Sequence, residues 1–327
     1  TVANLAFTGN GSTVTNDIDF ANDGTLTLGT SGGTQTYNGG LDTSGVGSTV
    51  TLNGTIIASD DAIVLGAVTL GSNTEIATDA SSNSADITIA AITGGSNNLT
   101  LSTGNNITGA DITVSGAISN LANLEFADVG GTVTFSANVA AAALDADNTV
   151  ANIAFTGSTN TFSAASTLAN DGTLQFGDAT GDSFTFNGGL TTSDVGGTVT
   201  LNTSISTSND ALVFGAITLG NNITLDTNAT NTTGDLTIGA VTGGSNTLTL
   251  TTENNIANAD ITASGNISGV TTLTLTSVGG TATFAGDVDV TTLAIGNTVA
   301  NVAINGNGST ITNDIDFAND GTLQLGD

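Results

Sequence analysis

Lysine, arginine, histidine, cysteine, methionine, proline and tryptophan are all missing from this chain of 327 residues. Without a base there is no cation to neutralise phosphate, so nucleic-acid binding is excluded as a class. Without histidine or cysteine there is no zinc site, no thiol nucleophile and no Ser-His-Asp triad. Without lysine there is neither a Schiff base nor a phosphate-binding P-loop. Absent cysteine leaves the redox compartment open, since disulfides are optional. Absent proline, beside 44 glycines, excludes collagen. No apolar run approaches the ~20 residues of a membrane helix, so no membrane-spanning segment is expected in this window. An initiator methionine and a charged leader are also missing, so any signal peptide is expected to be removed or to lie elsewhere.

What remains is acidic but sparsely charged. The net charge is −29, yet charged residues make up only 9% and apolar ones 38%. Disorder needs low hydrophobicity together with dense charge, and this chain has neither. Its apolar residues alternate with threonine and serine, which is strand grammar.

The chain repeats itself. Thr1 to Phe7 reads TVANLAF; the run returns at Thr149 as TVANIAF and at Thr298 as TVANVAI. AIVLGAVTLG at Ala62 returns as ALVFGAITLG at Ala211, and the glycine-rich run at Gly94 returns at Gly243. Three segments follow: a module over 1–148, a second over 149–297 and the start of a third over 298–327. The third resembles the first more than the second, because GNGSTVTNDIDFANDGTL at Gly9 returns almost unchanged at Gly306. Such self-similarity marks a repeat architecture. The chain stops inside a module, so these residues are expected to be a window on a longer array.

Two corner patterns recur. In one, two apolar residues flank three others with a small one in the middle, as in Tyr37 to Leu41, Leu52 to Ile56, Val114 to Ile118, Phe135 to Val139, Phe186 to Leu190 and Phe284 to Val288. In the other only two residues intervene: Leu65 to Val68, Ile89 to Ile92, Phe214 to Ile217 and Ile238 to Val241. Two intervening residues break strand parity, so both ends face inward only if the chain turns. The spacing of corners predicts an all-β parallel β-helix, a β-solenoid of about 25 residues per coil, about six coils to a module and about thirteen in all. Residues 148 or 149 apart are then expected at equivalent positions of one continuous solenoid. Val133, Phe135, Leu52, Ile56, Leu65, Val68, Phe186 and Phe284 are expected to point inward. Tandem β-sandwich domains are the alternative, because short strands between turns suit them too.

GTLTLG at Gly24, GTLQFGD at Gly172 and GTLQLGD at Gly321, set among Gly/Thr-rich strands, resemble repeats of bacterial β-helical surface proteins. These are the autotransporter passengers and the filamentous-haemagglutinin-like, large tandem-repeat adhesins. The resemblance implies a secreted, right-handed parallel β-helix used for adhesion or as a surface coat. Such adhesins usually contain lysine and arginine, and this chain has none. That departure turns the expectation from receptor binding towards a structural role.

The densest acidic cluster is Asn16 to Gly24, with Asp17, Asp19 and Asp23; it recurs with Asp314, Asp316 and Asp320. Oxygen-only ligands suit Ca²⁺, and these six are the candidate ligands, with no other cofactor expected. Neither the EF-hand order nor the calcium β-roll nonapeptide is present, so a solvated face with an Asn-Asp-Gly turn is the competing reading. Gly177 to Asp182 has the same ambiguity. Paired carboxylates could hydrolyse glycosides, but the acids fall mostly in turns and aromatics are only 4%, too few for a sugar platform. No enzyme is expected. Asn53, Asn98 and Asn228 open glycosylation sequons, so glycans are conceivable partners. The chain thus reads as an extracellular or cell-surface structural protein, self-associating into a filament, sheath or surface layer. An adhesin stalk or passenger presenting a domain outside this window, and a calcium-bridged matrix protein, are the alternatives.

Overall fold

The computed structural model describes residues 2–82 and 85–326. It is built of short β-strands, with no helix among the described residues and so none long and apolar enough to cross a membrane. The chain divides into two units, Thr1–Thr159 with Asn170–Gly172, and Asn160–Ala169 with Thr173–Asp327. Each is a parallel β-solenoid.

In the first unit three columns of inward residues run from coil to coil. Leu5, Leu26, Val50, Val68, Ile92, Ile118 and Val139 stack in one. Gln35, Ile56, Ile76, Leu101, Phe126 and Ala146 stack in the second. Ile18, Leu41, Ile63, Ile87, Ile112, Val133 and Ile153 stack in the third. Each coil therefore has three faces. The outward partners are mainly threonine, a residue that suits a pleated, half-wet surface.

The second unit repeats the plan. Its columns run through Leu174, Phe184 and Leu190 and on to Ile267, Leu275 and Ile261 respectively. All these ladders are parallel, which disposes of the sandwich alternative: hairpin-linked strands would pair antiparallel.

All eight residues expected inward are at most 3% exposed. Both ends of each two-residue corner are buried as well, so the chain does turn there. The small residue in the middle of the longer corner is required by a close approach of main chain. At Gly188 an added Cβ would fall on the backbone of Ala164 and Ala165 in the coil beneath. The limit is set by the neighbouring coil, with less bearing from the interior of the corner. Phenylalanines cluster in both cores: Phe135 stacks on Phe155 at 4.9 Å in the first unit, and Phe162 on Phe186 at 4.7 Å in the second.

The turn is shorter than the corner spacing predicts. The Leu26 column passes through Val50, Val68, Ile92, Ile118 and Val139, with its shortest step from Val50 to Val68 and its longest from Ile92 to Ile118. The Leu174 column passes through Val199, Ile217, Val241, Ile267 and Val288 in the same rhythm, shortest from Val199 to Ile217 and longest from Val241 to Ile267. The average is roughly 22 residues per turn, and the turns of both units number about 14. The corner motifs occur in short and long turns alike, so their spacing did not reveal that the turn from Val50 to Val68 is short.

This changes what the repeat means. Ile153 is the sequence counterpart of Leu5, yet it stacks in the column of Ile18. Leu323 is the counterpart of Leu174, yet it stacks above Val302, in the column that begins at Leu190. In both units the counterpart lies six turns and two faces further on. The expectation of equivalent positions after six whole coils is therefore corrected: one repeat is six and two-thirds turns.

Candidate functional site

The six calcium candidates are all exposed. Ile18 and Phe20 turn towards the core, which leaves Asp17 and Asp19 outside. Asp19 lies opposite Asp42 in the next coil, while Asp23 sits in a bend. Asn22 governs that bend: its Nδ2 donates to Gly24 O at 3.1 Å and Thr25 O at 3.0 Å. The third module repeats the bend, with Asn319 Nδ2 donating to Thr322 O. Among the described residues no three acidic side chains converge on a point that could hold a metal ion. The cluster thus has the geometry of an Asn-Asp-Gly turn. In the Gly177 to Asp182 segment, Asp182 Oδ2 accepts the N–H groups of Asp178 and Ala179, which makes it a turn of the same kind.

Many carboxylates act as rungs between coils. Asp86 Oδ1 accepts the N–H of Asp111 at 2.9 Å, and Asp111 Oδ1 accepts that of Thr132 at 2.7 Å. The second unit repeats both bonds, from Asp260 to Asp235 and from Thr281 to Asp260. Asparagine does the same at Asn138 and Asn222, which accept from Thr159 and Thr247. At Asp60, hydrogen bonds from Ser81 hold the carboxyl below the ordinary carboxylate range. Backbone N–H groups take the place that lysine and arginine would have, and bonds to a charged acceptor are the stronger kind. Replacing Asp111 by alanine leaves the Thr132 N–H without its acceptor and is expected to cost about 1–2 kcal/mol, whereas Asp111→Asn keeps an acceptor and should cost under about 0.5. Urea denaturation of the two variants checks this.

The sequence reading missed one arrangement. The chain has three glutamates, Glu75, Glu125 and Glu253. The first two line one open groove of about 660 Å³ on the first unit, with Thr55, Asn73, Asn98 and Thr100. Their neighbours Ile76, Leu101 and Phe126 point inward, so alternation sends Glu75, Thr100 and Glu125 outward. Register stacks Thr55, Glu75, Thr100, Glu125 and Asp145 in succession. Thr55 Oγ1 donates to Glu75 Oε2 at 3.2 Å, and Thr100 Oγ1 to Glu125 Oε2 at 3.4 Å. The two glutamates are two coils apart, roughly 10 Å at the usual strand spacing. The counterparts in the second module are Thr224, Thr249, Thr274 and Ala294, so this acidic column belongs to one module alone. The wide gap between the glutamates was the available signal, but it reads as two turns only once the turn length is known. Chemically the groove offers two carboxylates and neutral hydroxyls and amides, a surface for cations or hydroxyl groups.

Of the sequon asparagines, Asn53 donates through Nδ2 to Leu28 O at 3.3 Å, Asn98 is exposed, and Asn228 Oδ1 accepts from Asn254. No protein-family model, no curated protein and no solved structure matches the chain.

Proposed function

We propose that this chain is a structural protein, a length of repetitive β-solenoid that self-associates into an extracellular filament, sheath or surface layer. The observation that carries the reading is the use of polar side chains. A catalytic or ligand-binding protein aims such groups into a cavity; here aspartates and asparagines go to backbone N–H groups of the next coil. Nearest-neighbour stacking then stabilises the fold without disulfide or metal. The absence of lysine and arginine removes trypsin-type cleavage sites, and the absence of methionine and cysteine removes oxidation-prone groups, both useful outside a cell. In this reading the protein is not an enzyme. The resemblance to β-helical adhesins supports the same location. The acidic groove supports a second reading, a stalk or passenger with a binding role of its own.

Lateral contacts between copies bring like charges together, and carboxylates in contact are poorly screened by salt. We expect the contacts to use threonine, asparagine and glycine faces, since the acids are concentrated at turns. Electron micrographs of the native material before and after chelator at low salt test this. Filaments or layers that survive are the expected result. Dissociation reversed by Ca²⁺ and not by Na⁺ would replace it with a calcium-bridged matrix, and isolated single chains would sink the structural reading.

A further inference from the structure

The outward threonines are not used alike on the three faces. In the first unit, those alternating with the Leu26 column run Thr27, Thr51, Thr69 and Thr93, and Ser119 follows. In the second unit, those alternating with the Leu174 column run Thr200, Thr218 and Thr242, followed by Ser268 and then Asp289. Up to Ser119 and Ser268 neither run contains an acid. Asp23 and Asp194 lie in turns that lead into these strands, outside the runs. Ala67 and Ala91 sit in register beside the first run, and Ala216 and Ala240 are their counterparts. These alanines belong to the two-residue corners; Ala67, Thr69, Ala91 and Thr93 line a shallow groove of about 290 Å³.

The other faces carry acids. On the second face these are Glu75, Glu125 and Asp145 in the first unit and Asp226 in the second. On the third face Asp19 lies opposite Asp42 in the first unit. The rung acids Asp86, Asp111, Asp235 and Asp260 stand at the margin of that face in both units. The hydroxyl groups differ as well. On the second face Thr55 and Thr100 donate to Glu75 and Glu125. On the first face, among the described residues, the hydroxyls of Thr51, Thr69 and Thr93 bond to no other group, and neither do those of Thr200, Thr218 and Thr242.

We propose that this first face, in each unit, is the surface on which a second copy of the chain docks, with the same face of that copy as its occupant. The inference rests on the self-association argued above and names the surface that performs it. Two chains of net charge −29 have no cation to set between their own carboxylates, so they approach most readily where neither brings one. A contact between identical patches must also be complementary to itself. A hydroxyl both donates and accepts, so a threonine face meets that condition; a carboxylate only accepts, so an acidic face does not. The hydroxyls of the first face are free for such bonds, and its alanines let the two main chains come close.

The chain has no cysteine, so one introduced thiol is a unique reporter. Thr69→Cys places it on the first face and Asn98→Cys on the second, where Asn98 is exposed. Alkylation by a maleimide is timed in assembled protein collected by sedimentation and in dispersed protein. Assembly should slow the Thr69→Cys thiol about tenfold and leave the Asn98→Cys thiol unchanged, as expected for a surface closed to solvent. A second pair of variants adds charge. Glu75 already holds an outward strand position, so the fold accepts glutamate there. Thr69→Glu with Thr218→Glu should cut the sedimenting fraction about tenfold or more through like-charge contact, while Asn98→Glu with Thr249→Glu, both on second faces, should sediment as the unaltered chain does. Greater protection at Asn98→Cys than at Thr69→Cys, or undiminished sedimentation of the first-face glutamate variant, would overturn the proposal and leave self-association standing. An unaltered chain that stays single at every concentration would sink both.

Discussion

Replacing Phe186 by alanine should destabilise the second unit by about 3–5 kcal/mol, the usual range for emptying a buried phenylalanine site. Phe186 is fully buried, stacks on Phe162 at 4.7 Å and meets Phe176 edge-on at 5.9 Å. Phe176 in turn packs edge-on against Phe184 at 5.2 Å, so four rings form one cluster. The coils above and below are tied by main-chain ladders and cannot close on the vacated space. Phe186→Leu, which keeps most of the volume, should cost only about 1–1.5 kcal/mol. Denaturant unfolding gives both values. Because each coil touches only its neighbours, exchange protection should fall most near residues 162–190 and hold in remote coils. A loss below about 1 kcal/mol for the alanine variant would mean that the cluster is looser than its geometry.

The second large effect is expected at Gly172. The Ala-Asn-Asp-Gly turn occurs three times, ending at Gly24, Gly172 and Gly321. Gly172 N donates to Ala151 O at 2.8 Å, and a Cβ there would lie 2.5 Å from that same oxygen. The hydrogen bond and the methyl group cannot both be kept, so Gly172→Ala should cost about 3 kcal/mol through a lost main-chain bond and a displaced coil. Gly181→Ala is the control. No atom lies within 4 Å of its added Cβ, and the change should stay within about 0.5 kcal/mol. Equal effects at the two sites would show that residual freedom in the unfolded chain, and not the approach of the coil, governs these glycines.

Much of the fold was legible because solenoid packing is local. Parity breaks such as Leu65 to Val68 announce a corner, and every residue expected to point inward does so. Turn length was harder to read. A strand carries no mark of which residue lies above it, and the shortest and longest turns use similar corners. Glu75 and Glu125 look unrelated in sequence for that reason, since their meeting depends on two successive steps, from Glu75 to Thr100 and from Thr100 to Glu125. The role of the other aspartates was hidden for a related cause. Asp86 and Asp111 accept the N–H groups of Asp111 and Thr132 in the coils that follow, partners that no local pattern reveals.

The mismatch between repeat and turn works as a vernier does, with two rulings of different pitch on one scale. A substitution fixed in the repeat and then copied with it reappears two faces further on, as Ile153 does relative to Leu5 and Leu323 relative to Leu174. The rulings coincide again only after three copies, which make twenty turns. Within each unit, copying a whole repeat therefore moves a feature to a different face instead of stacking it on its parent, as those two pairs show.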